Sequence, residues 1–288
     1  MIPVLLTRVK TRDEVTLDGI YVKPKRKGDT ALIWLHGLTS YFSSSQTLVK
    51  ELSSLCHKRK IGYLKFNTRG HDIVVRGQGR HVLLGTLFEK FEDCVLDIRA
   101  MVGFAKKLGY KNIILAGHST GANKAVYYLY KTKDRNVKGV LLLGAASDIS
   151  GEIQRVGKKT FRKELQRAKV LYRKGPFSFF ISKGFVYTAY RFLGLYTPGK
   201  AEDVFPYHNP SAHWTALESI RQPIAVVMGS RDECLDRPVE KHVELFRKNA
   251  KRTKKFSEFI IKGSGHSFIK KERGLAKVIV KWVKEERL

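Results

Sequence analysis

Cysteine is scarce in this sequence: Cys56, Cys94 and Cys234 are the only three, odd in number and far apart. Their spacing excludes a disulfide framework or a CxxC metal pair and fits a reducing compartment. Acidic residues are also few, 26 against 55 lysines and arginines, which leaves a formal charge of +29 at pH 7. A field of that sign attracts nucleic acid, anionic membrane surfaces and acidic small molecules. The bases are nevertheless dispersed, in KPKRK (23–27), KKTFRKELQRAKVLYRK (158–174) and KNAKRTKK (248–255). No zinc-finger spacing, RNA-binding strand motif or heptad zipper accompanies them, so a lysine-rich soluble surface is favoured and no specific nucleic-acid partner is expected.

Long apolar runs are missing as well. The most aromatic stretch, FSFFISKGFVYTAYRFLGLY (177–196), is interrupted by Lys183 and Arg191, and no membrane span is expected. The opening residues MIPVLLTRVKTRDEV have no basic n-region before a long apolar stretch and no small-residue cleavage site, so a cytoplasmic protein is expected. There is no HxxxH and no clustered Asp/His pattern, so neither a metal nor another cofactor is expected.

What is present suffices for a sizeable core, with 43% hydrophobic and 11% aromatic residues. Runs rich in β-branched residues alternate with helix-like segments, the pattern of a mostly parallel sheet with crossover helices on both faces. VLLTRVKT (4–11) and TLDGIYVKP (16–24) predict an antiparallel hairpin at a sheet edge. Buried strands are predicted at 30–37, 62–70, 112–119, 137–146, 222–230 and 255–263, with helices at 44–60, 86–109, 121–132, 238–249 and 271–286. The rhythm breaks at 150–208, too long for a plain loop. A single domain over 1–288 is therefore expected, with 150–208 inserted as a helical lid over the carboxyl edge of the sheet.

LAGHSTGANK (115–124) sets Ser119 between Gly117 and Gly121 at a strand–helix junction. A nucleophilic serine needs such a turn, strained so that its hydroxyl clears the backbone, with glycines where neighbouring elements crowd in. The turn also leaves the Thr120 N–H at a helix start, where it can meet a developing negative charge. A serine hydroxyl needs a base held by a carboxylate. VVMGSRDECLD places Asp232 after one late strand and IIKGSGHSF places His266 after the last, both at the same sheet edge as Ser119. Glu233 and Asp236 are rival acids beside Asp232; His36, His71 and His118 are read as structural. WLHGLTS (34–40) supplies a second N–H donor, that of Leu38, because Gly37 permits close approach and His36 braces the loop.

WLHGLTS, FNTRGHD, LAGHSTG, GSRDE and GSGH stand in the order seen in serine hydrolases of the α/β-hydrolase fold. With FEKFEDCVLDIRA and GHSTGANKAVYYL, the chain resembles predicted esterases related to fungal siderophore esterases and, more distantly, feruloyl esterases. The resemblance implies Ser119 as nucleophile, Asp232 as acid, His266 as base, and Leu38 and Thr120 as oxyanion donors. One departure is Asp72, which stands where many relatives have glycine after RGH, followed by Ile73 and Val74; this loop is expected to shape the pocket differently. Asn67, Arg69 and His71 are read as structural hydrogen-bonding residues.

These features point to hydrolysis of a small-molecule carboxylic ester through an acyl-enzyme. A lactonase, a thioesterase or a serine aminopeptidase would use the same triad, the last with Asp148 or Glu152 gripping the amine. A non-catalytic basic protein binding nucleic acid or membrane is the other class, and it has no need of all three triad members. Lid aromatics Phe177, Phe179, Phe180, Phe185, Tyr187, Tyr190, Phe192 and Tyr196 are candidates for an acyl or aryl pocket, and Arg155, Lys158, Lys159, Arg162 and Lys163 for attracting an acidic substrate. An amphipathic lid with a buried aromatic face and a wet basic face explains the same pattern.

Overall fold

The computed structural model describes residues 2–77, 82–182 and 184–286. Lys183, one of the two charges that interrupt the aromatic stretch, lies outside them. In chain order the elements are β1 (Leu5–Lys10), β2 (Thr16–Val22), β3 (Thr30–Leu35), α1 (Gln46–Lys58), β4 (Ile61–Phe66), β5 (Val75–Arg76), β6 (Leu83–Leu84), α2 (Cys94–Lys107), β7 (Asn112–His118), α3 (Thr120–Thr132) and β8 (Val137–Leu143). Then follow α4 (Asp148–Val156), α5 (Lys158–Lys174), β9 (Phe179–Ser182), β10 (Phe185–Thr188), α6 (Ala189–Tyr196), α7 (Thr215–Glu218), β11 (Ile224–Gly229), α8 (Val239–Asn249), β12 (Phe256–Ile261) and α9 (Glu272–Glu285).

Eight strands form one sheet in the order β1-β2-β4-β3-β7-β8-β11-β12. β1 and β2 are antiparallel, as is β2 against β4, and from β4 to β12 every neighbouring pair is parallel. The period of two along a strand decides the layers. In β3, Ala31, Ile33 and Leu35 join the core on the α2–α3–α8 face, whereas Leu32 and Trp34 join the core under α1 and α9. Side chains such as Leu32 and Ile33, with no exposed surface, each stabilise the fold by about 1.5–3 kcal/mol. On α9, Leu275, Ala276, Ile279, Val280, Trp282 and Val283 make one buried stripe at helical spacing.

Two segments differ from the sequence reading. The helix predicted over 86–109 begins later, with a 3-10 turn at Phe91–Asp93 leading into α2. Residues 85–87 are engaged instead with the preceding loop: the N–H groups of Gly85, Thr86 and Leu87 donate to the carbonyls of Arg69, Asp72 and Ile73. The segment between β8 and β11, expected to be helical, also contains a β9–β10 hairpin. Phe179, Phe180, Ile181 and Ser182 alternate exposed and buried, and Gly184 takes the turn at φ 85°, a region open to glycine at little cost.

Candidate active site

Ser119 joins β7 to α3 with its backbone at φ 55° and ψ −128°, a conformation that non-glycine residues seldom adopt. The crowding around it explains the flanking glycines: a Cβ on Gly117 would lie 2.2 Å from the Gly121 carbonyl oxygen, and one on Gly121 2.3 Å from the Leu35 carbonyl oxygen. The Ser119 N–H donates to Leu143 at 2.8 Å and its carbonyl accepts from Ala122 at 2.8 Å. Its hydroxyl does not cap α3.

The loop after β3 runs directly over the serine, since a Cβ on Gly37 would lie 2.9 Å from the Ser119 Cβ. His36 braces this loop: its Nε2 accepts from the Thr68 N–H at 2.9 Å, which leaves Nδ1–H to donate to the Gly37 carbonyl at 2.9 Å. Burial pulls the His36 pKa down to about 3, so the ring stays neutral in that role. The Thr86 hydroxyl accepts from the Thr39 N–H at 3.0 Å and donates to the Gly70 carbonyl at 2.9 Å, tying the loop after β3 to the one after β4. Leu38 and Thr120 both line the cavity above Ser119, and neither backbone N–H donates a hydrogen bond among the described residues.

β11 and β12 bring the other two residues to the same edge. A Cβ on Gly229 would lie 2.5 Å from the Ser264 carbonyl oxygen, and the Arg231 N–H donates to that carbonyl at 2.8 Å. The two strand-end loops are thereby locked together, with His266 Nδ1 at 3.0 and 3.1 Å from the two carboxylate oxygens of Asp232. Of the rival acids, Glu233 accepts from the His266 backbone N–H at 2.9 Å, and Asp236 turns to Arg237 at 2.7 Å. Burial lowers the His266 pKa, but hydrogen bonds from the ring to Asp232 and Cys234 outweigh it, and the imidazole sits above its ordinary value of 6.5. His118, read as structural, supports this loop: its Nε2–H donates to the His266 carbonyl at 3.0 Å. Burial, then the nearby His266, lowers the His118 pKa to about 4. Ser119 and His266 line one cavity with no hydrogen bond between their side chains.

That cavity has a volume of about 840 Å³. Of the eight candidate aromatics, Phe185, Tyr187 and Tyr196 line it; Phe177 and Phe179 are exposed, and Phe180 and Phe192 pack in the insertion's own core. Of the five candidate bases, only Arg155 lines it, and its guanidinium is forked onto Glu152 at 2.7 and 2.8 Å. Ile73, from the departing RGHD loop, is also in the wall. Asp148 lines the cavity as well and makes no hydrogen bond or ion pair among the described residues; burial, with Glu202 nearby, pushes it up to about 7. Despite the charge of +29, the described lining holds Asp148, Glu152 and Glu233 against Arg155. Asn67 and Arg69 stay in the scaffold: Asn67 accepts from the Phe42 N–H, and Arg69 binds Asp13, Asp93 and Asp97.

Two groupings were not visible in the sequence. Behind the site, Lys124 of α3 pairs with Glu89 at 2.5 Å, while Arg191 of α6 pairs with Glu89 at 3.1 Å and Glu202 at 2.5 Å, all four side chains being at most 1% exposed. Burial raises the Glu89 pKa, but Lys124 and Arg191 hold it below its ordinary value. This cluster fastens α6 to α3, the helix that follows Ser119. The second grouping is made by Asp232, Cys234 and His266, which bring one ligand atom each within 4.8 Å of one another. The cluster escapes sequence inspection because His266 arrives from a different strand end.

The family described as Protein of unknown function (DUF1749) matches residues 84–285, a span that holds Ser119, Asp232 and His266. No curated protein sequence matches the chain. Solved structures similar to it include the siderophore hydrolase EstB from Aspergillus fumigatus, at 14% identity and a TM-score of 0.71 over 99% of this chain and 98% of that one. Est1E from Butyrivibrio proteoclasticus with ferulic acid bound aligns at 18% identity and a TM-score of 0.68 over 97% and 98%. The Pyrococcus furiosus esterase Pf2001 aligns at 18% and 0.63 over 99% and 91%. The fold is that of the α/β-hydrolases.

Proposed function

The chain belongs to the DUF1749 family, and we propose that it is a serine hydrolase of small-molecule carboxylic esters. The observation that carries this reading is the placing of Ser119, on a strained turn, in the same cavity as an imidazole hydrogen-bonded to Asp232. The similar folds named for esterases and a siderophore hydrolase support it.

In the proposed reaction Ser119 Oγ attacks the ester carbonyl while His266 Nε2 takes its proton. Asp232 accepts Nδ1–H, which fixes the tautomer with its Nε2 lone pair available and stabilises the imidazolium as it forms. The hydroxyl–imidazole contact tightens as substrate fills the cavity, as catalytic hydrogen bonds do in other resting enzymes. The free N–H groups of Leu38 and Thr120 receive the developing oxyanion, and each such donor contributes about 2.7–4 kcal/mol of transition-state stabilisation. His266 then protonates the leaving alcohol, and a water activated by the same ring releases the acid. The insertion over 150–208 acts as the lid, since α4 and β10 supply much of the cavity wall.

Phe185, Val186, Tyr187, Tyr196 and Ile73 make the wall apolar and suit an acyl or aryl group. The acidic lining and the occupied Arg155 do not favour an acidic substrate. Asp148 favours a second reading, a substrate whose acyl part carries an amine or a hydroxyl donor, because a half-buried carboxyl without a protein partner gains most from such a ligand. The test is turnover of p-nitrophenyl esters from acetate to decanoate by wild type and Ser119→Ala. Turnover that disappears in the variant supports the reading; equal turnover in both contradicts it.

A further inference from the structure

Cys234 follows the acid residue by two positions, and its backbone N–H donates to Asp232 Oδ1 at 3.0 Å. That turn swings its thiol toward the imidazole, so a carboxylate oxygen, a sulfur and a ring nitrogen converge within 4.8 Å. Carboxylate, thiolate and imidazole are the donor types that zinc takes in tetrahedral sites. Cys234 and His266 also line the cavity, which leaves a fourth coordination position to a water. Asp148 and Glu233 in the same wall, with Glu152 and Arg155 cancelling each other as an ion pair, give a cation a favourable local field inside a basic protein.

We propose that Asp232, Cys234 and His266 form a binding site for a thiophilic divalent cation such as Zn²⁺, and that occupancy switches off the Ser119 centre. The inhibitory half rests on the serine-hydrolase reading; the binding half does not. On binding, the Cys234 S–H bond breaks, an S–metal bond forms and one proton leaves to solvent. His266 Nδ1 exchanges its proton for the metal, and the neutral ring then carries its proton on Nε2. That nitrogen no longer has the lone pair needed to accept a proton from Ser119. Charge balances at the site, with thiolate and carboxylate against the dication.

The experiment uses the full chain, freshly reduced with a non-chelating phosphine. ZnCl₂ binding is measured by equilibrium dialysis, and CoCl₂ serves as a spectroscopic probe for a thiolate-to-cobalt charge-transfer band. Turnover of p-nitrophenyl acetate is followed in parallel, each protein normalised to its own metal-free rate. The expected result is stoichiometric zinc, a cobalt–thiolate band, and loss of turnover that EDTA restores. In Cys234→Ala and Cys234→Ser the band disappears and zinc sensitivity falls at least about tenfold, the lower end of what even outer partners contribute to metal sites. Absence of the band in wild type, or inhibition of both variants at the wild-type zinc concentration, overturns the site. A cobalt–thiolate band in a protein with no ester turnover before metal is added supports the site and overturns the hydrolase reading with its inhibitory half.

Discussion

Gly37 and Ser119 lie so close that a Cβ on the glycine would meet the serine Cβ at 2.9 Å. The His118 carbonyl, 3.2 Å from the same point, blocks an easy retreat. Gly37→Ala therefore has to displace either Ser119 or the loop that carries Leu38. Loss of one oxyanion donor lowers kcat by about 10²–10³, and the account predicts a fall in that range with little change in melting temperature. Steady-state kinetics alongside thermal denaturation checks both halves.

A second prediction concerns the buried cluster that ties α6 to α3. Glu89 has no exposed partner to fall back on, and removing one member leaves an uncompensated charge. Glu89→Ala is expected to destabilise the protein by about 3–5 kcal/mol, read as a lowered urea midpoint. Because the Glu89 pKa is held below its ordinary value, its contribution is present above the unfolded-state pKa and is lost as pH falls through the folded one. The difference between wild type and variant should therefore narrow in acid.

The pH dependence of turnover follows from His266. In the proposed reaction only the neutral ring accepts the serine proton, so activity is expected to fall as pH falls through its pKa. Asp232 and Cys234 raise that pKa against burial, which places the acidic limb of kcat/KM above 6.5, the ordinary imidazole value. Cys234→Ala is expected to move the limb toward lower pH, with Asp232→Asn reducing the rate itself as well. The same shift predicts stability from His266 that is full below 6.5 and lost as pH rises through the folded value.

Much of this could be read from the sequence because it is local. Strands such as TALIWL and NIILAGH carry near-continuous apolar runs, the usual pattern of a strand buried on both faces. Ser119 is marked by flanking glycines that the turn requires, and Asp232 and His266 by their places after late strands. What stayed hidden depends on residues distant in the chain. Glu89, Lys124 and Arg191 look like ordinary surface charges until two helices and a loop bring them together. The eight aromatics of 177–196 share one composition, yet hairpin register and helix face send Tyr187 to the cavity and Phe179 to solvent. Thr86 has no sequence signal at all, since both of its partners come from other loops.

A covalent acyl-enzyme on Ser119 would be seen by intact-mass and peptide mass spectrometry after incubation with a slowly deacylated p-nitrophenyl ester. The account predicts one acyl adduct on the peptide bearing Ser119, absent in Ser119→Ala and strongly reduced in His266→Ala. An adduct elsewhere, or ester turnover undiminished in Ser119→Ala, would contradict it.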